Sequence, residues 1–200
     1  MTSIITGDII NSKKSSPKHW LEALKSVLNS FGKTPQTWEV YRGDSFQLEV
    51  TPEQALLTCL LIKATIKRFN DLDVRLAIGI GEKTYQSENI TESNGSAFVN
   101  SGECFENLDK TTLAIKSSFE PFDTAINIML DLAQLTINNW SSKSAILVKT
   151  TLENPDLKQN QIAEILNRTQ GNISQGLKRA GYDEITKLLH YYQTQIQSLC

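Results

Sequence analysis

Two hydrophobic periods divide the chain. Up to about residue 120, short apolar runs alternate with helical patterns; beyond it the spacing is helical throughout. Ser3–Thr6 reads as a short strand that ends at Gly7-Asp8. Trp20, Leu21, Leu24, Val27, Leu28 and Phe31 recur at helical spacing behind Pro17, which predicts a helix over Pro17–Phe31. Trp38–Tyr41 and Phe46–Val50 read as strands joined by the tight turn Arg42-Gly43-Asp44-Ser45, hence a hairpin. Pro52 opens a helix to Phe69, Val74–Ile80 is an apolar strand, and Glu82–Ser93 is a polar loop. A further helix runs from Asn94-Gly95 to about Leu108, and Leu113–Ser117 is a last strand.

The order β-α-β-β-α-β, then α-β, predicts an α+β fold with a ferredoxin-like antiparallel sheet and its helices on one face. After Pro121 only helices are expected. Phe122–Asn139 connects to a helix capped by Ser141 and ended by Asn154-Pro155. Gln159–Leu166, Gln170–Ala180 and Asp183–Leu199 follow. The chain thus divides into a sheet domain over 1–120, a connecting helix over 121–140 and an all-α domain over 141–200.

Composition narrows the class. With 40% hydrophobic and 21% charged residues in 200, disorder, collagen and a disulfide scaffold are excluded. No apolar run approaches the ~18 residues of a membrane helix. The first apolar stretch, Ile4-Ile5, is broken by Thr6-Gly7-Asp8, unlike a signal peptide. Cys59, Cys104 and Cys200 are distant and odd in number, which argues against disulfides. A cytoplasmic protein without a membrane partner is expected. Net charge is −2, but residues 141–200 hold seven Lys and Arg against five Asp and Glu, which permits a nucleic-acid-binding tail.

That tail carries the most specific pattern. Ile162 and Leu166 share one helix face, Ala163 falls where two helices cross closely, and Thr169 is placed to cap the next helix. Ile173 and Leu177 supply that helix's buried face. Thr169, Gln170, Asn172, Gln175, Lys178 and Arg179 are left for solvent, or for base edges and phosphates. The run "QIAEILNRTQGNISQGLKRAG" resembles the helix-turn-helix of bacterial transcription regulators. Asn167 stands where Gly is usual and Arg168 where an apolar residue is usual. The alternatives are a plain helical hairpin or a protein-docking module. The stripe Ile185, Leu188, Leu189, Tyr192, Ile196, Leu199 packs on the protein's own core or forms the seam of a homodimer.

Asp8, at the end of the first strand, and Asp44, in the hairpin turn, meet at one end of a ferredoxin-like sheet. Two carboxylates there suit Mg²⁺, and the backbone N–H groups of Ile9, Ile10, Asn11 and Ser12 could hold a triphosphate. Asp after Gly in a tight turn is also ordinary turn chemistry. "TGDIINS", "YRGDSFQ", "VRLAIGIG" and "NGSAFVNSGECFENL", in that order over roughly residues 3–110, resemble the motifs of class III nucleotidyl cyclases. The resemblance implies Asp8 and Asp44 as metal ligands, Asn100 as the ribose-orienting residue and Glu92 as a purine contact. Two positions depart from it. Cys104 stands where the family has a transition-state Arg, and Val40 where it has a base-selecting Lys. The whole layout also resembles the SatD family.

Two functions are expected from these features. One is a DNA-binding transcriptional regulator whose degenerate cyclase-like domain senses a nucleotide or metal, or dimerises. The missing Arg leans the balance this way. The other is a Mg²⁺-dependent nucleotidyl cyclase or nucleotidyltransferase acting on ATP or GTP under control of the helical domain.

Overall fold

The computed structural model describes residues 1–14 and 16–199; Ser15 and Cys200 lie outside it. The described residues form five strands and eight α-helices: β1 (Thr2–Ile10), α1 (Pro17–Asn29), β2 (Trp38–Tyr41), β3 (Ser45–Val50), α2 (Pro52–Lys67), β4 (Asp73–Gly81), α3 (Ser96–Glu106), β5 (Leu113–Lys116), α4 (Glu120–Ile137), α5 (Ser142–Glu153), α6 (Gln159–Ile165), α7 (Gln170–Arg179) and α8 (Tyr182–Leu199).

The strands make one sheet in the order β2-β3-β1-β4-β5. β1 lies between β3 and β4, antiparallel to both, while β5 runs parallel to β4. The sheet is therefore mixed rather than antiparallel, because α3 is a crossover helix that returns the chain in the direction of β4. The central strands are apolar on both faces, as strands covered on both sides must be. β1 does not stop at Gly7-Asp8. It continues to Ile10, with Asp8 paired to Arg75 and Ile10 to Asp73.

Side-chain alternation explains the two layers. Ile5, Ile9, Phe46, Leu48, Val74, Leu76, Ile78 and Ile80 point into the main core with α1 and α2. Ile4, Thr6, Ala77, Gly79 and Gly81 fall on the opposite face, where α3 lies. Ile4 packs with Ala97 and Ala77 with Cys104, and the Thr6 and Ser101 hydroxyls are hydrogen-bonded. A Cβ on Gly79 would lie 2.2 Å from Ser101 N and 2.3 Å from Ala97 O, so glycine sets how closely α3 approaches. The helices thus cover both faces, contrary to the single helical layer expected.

α2 is buried nearly all round, between the sheet and the pair α5 and α8. Val148, Leu152, Ile185, Leu189, Tyr192 and Ile196 join the same continuous core as the sheet. Tyr192 donates its hydroxyl to Pro52 O at 2.6 Å, and the Trp140 indole donates to Ala180 O at 2.9 Å. α6 and α7 have a small core of their own with α5, formed by Leu147, Ile162, Ala163, Ile173 and Leu177.

Two polar features hold the periphery of the sheet. α4 lies along the outer edge of β5 and satisfies its backbone with side chains. Gln134 accepts from Leu113 N and donates to Leu113 O, and Asn127 does the same for Ile115. Asp123 accepts from Ser117 N just past the strand. Below β4, fully buried Lys63 pairs with Asp73 at 3.0 Å and donates to Thr112 Oγ1 at 2.7 Å, while Lys67 also pairs with Asp73 and donates to Asn138 O. Burial holds the Lys63 amine down at about 8, against the pull of Asp73.

Candidate functional site

The register that pairs Asp8 with Ser45 brings Asp8 and Asp44 to the same end of the sheet. Asp8 lies within β1, and Asp44 ends the turn in which Arg42 and Gly43 both have positive φ, 52° and 92°, the geometry a tight hairpin requires. Asp8 accepts from Ser45 Oγ at 2.9 Å and from the Arg75 guanidinium at 3.3 Å. Asp44 accepts from Ser12 Oγ at 2.6 Å, and its backbone carbonyl takes the N–H of Ile9 at 3.2 Å. Burial pushes the Tyr41 phenol up; Arg42 draws it back and Asp8 raises it further.

This arrangement changes the phosphate loop expected from the sequence. Ile9 and Ile10 are strand residues, and the Ile9 N–H is already bonded, so a run of four free amides does not exist. Asn11, at φ 64°, turns the chain out of the strand and donates its side chain to Asp71 O. Ser12 opens the short 3-10 turn Ser12–Lys14.

Within one chain, the other residues carried over from the cyclase motifs, Asn100 and Glu92, do not join Asp8 and Asp44. Asn100 donates to Ile80 O at 2.8 Å. Ile80 pairs with Ser3, five positions along β1 from Asp8, so their backbones are about 17 Å apart. Glu92 is exposed and accepts from Ser87 and Asn89 within its own loop. Cys104 faces the sheet, its thiol pushed up to about 12 by burial and then by Asp123, so no charge is presented there. Val40 packs toward the main core, on the side away from Asp8.

The donor set fits Mg²⁺ poorly. Each carboxylate already has a hydroxyl donor, and Arg75 supplies the cation beside Asp8. Among the described residues, no three His, Cys, Asp or Glu gather around a common point. Arg75 is the residue missed from the sequence. Its guanidinium also lies 5.1 Å from the Phe105 ring centroid, a cation–π contact that fixes it over the acid. Its position in step with Ala77, Gly79 and Gly81 was the available signal, since period two puts all four on the face of Asp8.

The C-terminal helices form a second, differently charged surface. Ser141 caps α5 by accepting from Ser144 N, and Thr169 caps α7 by accepting from Asn172 N. Asn167 takes φ 50° between α6 and α7, a left-handed conformation that Asn tolerates. α5 and α7 cross closest at Gly176, where a Cβ would meet Leu147 Cδ2 at 2.5 Å. Ile173, Gly176 and Leu177 are buried, whereas Thr169, Gln170, Asn172, Gln175, Lys178 and Arg179 are exposed. Gln170 donates to Gln159 across the turn at 2.9 Å.

Beside this polar face lies a concavity of about 400 Å³ lined by Ser141, Lys143, Ser144, Arg168, Asn172 and Arg179, among others. Lys143, Arg168 and Arg179 carry no ion pair among the described residues, and no acid lines the cleft. Lys143 is not marked by any sequence pattern, and Arg168 stands out only as a departure from the helix-turn-helix pattern; both lie outside α7 and are gathered into the cleft by the way α5 packs against it.

A mixed α+β protein with a buried five-stranded sheet and a helical C-terminal surface is thus defined by its geometry. The family model of SatD matches residues 2–195, and the chain belongs to the SatD family. No curated protein and no solved structure matches it. No helix among the described residues is long and apolar enough to cross a membrane.

Proposed function

We propose that the chain is a DNA-binding regulator in which α5, α6 and α7 act as a helix-turn-helix reader mounted on a ferredoxin-like, cyclase-related sheet domain. The observation that carries this reading is the continuity of the polar face of α7 with the acid-free cleft holding Lys143, Arg168 and Arg179. Gln170, Asn172 and Gln175 have the donor and acceptor pairs that match adenine edges, and the three cations match backbone phosphates. Because α5 and α8 pack on α2, a ligand or partner of the sheet domain would act on the reader through a continuous core rather than a loose linker. A gel-shift titration of the full chain against duplex DNA from its own promoter region tests this. Specific retention at moderate salt, lost in Gln175→Ala, supports the reading; no retention of any duplex refutes it.

A second reading, Mg²⁺-dependent nucleotidyl transfer from ATP or GTP, is favoured only by Asp8, Asp44 and Ser12 sharing one end of the sheet. It requires Arg75 to release Asp8. Incubation with each nucleoside triphosphate and Mg²⁺ decides it: a product absent from the Asp44→Ala variant supports it, and identical traces remove it.

A further inference from the structure

Of the two roles expected for the α8 stripe, packing on the protein's own core holds for Ile185, Leu189, Tyr192 and Ile196, which are buried against α2 and α4, whereas Leu188 is only partly buried. The apolar surface left open lies instead on α4. Ile128, Leu132 and Leu135 are 58%, 65% and 72% exposed and form a ridge at helical spacing. Beside the ridge runs a groove of about 690 Å³ between α4 and α8, floored by Met129, Ala133, Leu188 and Tyr191. A monomer rarely exposes so many large apolar side chains on one helix without using them.

We propose that this face binds a second copy of the chain, the α4 ridge of each protomer seated in the α4–α8 groove of the other. The inference goes beyond the DNA-binding reading and does not require it. Shape favours a copy over an unrelated partner. Ridge and groove lie side by side on one surface, so a two-fold axis between two antiparallel α4 helices fills both grooves at once, as an isologous contact demands. Charge favours it as well. α4 carries acids and no Lys or Arg, and Asp131 is exposed next to Leu132 without an ion pair among the described residues. The groove is rimmed by Lys178, Arg179 and Lys187 against the single acid Glu184. Asp131 beside the apolar ridge of one copy therefore meets Lys187 on the α8 rim of the other, and Arg179 stays with the cleft between α5 and α7. The anchoring of α4 by Asn127 and Gln134 keeps the ridge rigid, which lowers the ordering cost of association.

Sedimentation velocity of the full chain across micromolar concentrations tests the proposal, with circular dichroism as the check on folding. The wild type is expected at twice the chain mass. Leu132→Glu, at a site already mostly exposed, is expected to sediment as a folded monomer. Asp131→Lys and Lys187→Glu should each weaken the dimer, and the two together should restore it, an exchange that only contact between copies explains. A wild type that stays monomeric throughout the range overturns the proposal, as does a Leu132→Glu protein that still dimerises.

Discussion

The basic cleft between α5 and α7 makes a quantitative claim about salt. Lys143 and Arg168 line it without ion pairs among the described residues, so both are available to displace a counterion from a DNA phosphate. Each such contact contributes a slope of about −0.9 to log K against log salt. The double variant Lys143→Gln, Arg168→Gln should therefore flatten the slope by roughly 1.8. At about 0.1 M salt the same two contacts correspond to a loss of roughly 60-fold in affinity, which shrinks as salt rises. Fluorescence anisotropy of a labelled duplex over a series of KCl concentrations reads both quantities. Gln175→Ala is the control. It should leave the slope unchanged and cost about 1–3 kcal/mol on the specific sequence alone. A double variant with the wild-type slope refutes the reasoning, even if its affinity has fallen, because counterion release would then not pass through this cleft.

Three further outcomes concern the scaffold. The Lys63 amine titrates at about 8 folded and near 10.5 unfolded, so the unfolded chain holds the extra proton between those values and stability should rise with pH there, by roughly 3 kcal/mol in all. In urea unfolding, the difference between wild type and Lys63→Met should change across that window and stay flat below it; a flat difference throughout contradicts the burial argument. Gly79→Ala forces a Cβ onto the α3 backbone and should cost about 3 kcal/mol, with the near-ultraviolet dichroism changed as α3 shifts; unchanged stability would mean that α3 gives way freely. Gln134→Leu leaves the N–H groups of Thr112 and Leu113 without their acceptor and should cost roughly 1–3 kcal/mol for each; hydrogen exchange at Leu113 should accelerate, and wild-type protection there would count against the edge contact.

The elements were legible in the sequence because their periods are clean. α1, α4 and α7 each show one apolar face, and Pro17, Pro52 and Ser141 mark helix starts. The length of β1 was not legible, since Gly7-Asp8 resembles a turn and only the pairing with β4 carries the strand past it. The position of α3 was written in Ala77, Gly79 and Gly81, small residues on one strand face, but their meaning depends on knowing what lies against them. The partnership of Asp8 with Arg75 spans 67 positions and arises from register alone. Local pattern therefore identified Asp8 as a candidate and could not show that a guanidinium stands next to it.

The amide side chains of α4 along β5 have one more consequence. A strand at the margin of a sheet ordinarily offers its main chain as a template for another chain. Here Asn127 and Gln134 occupy the donors and acceptors of Ile115 and Leu113, so that template is closed on the β5 side. Main-chain recruitment of a foreign strand is shut off at this margin, and whatever engages this side of the molecule must do so through side chains displayed by the helix outside it.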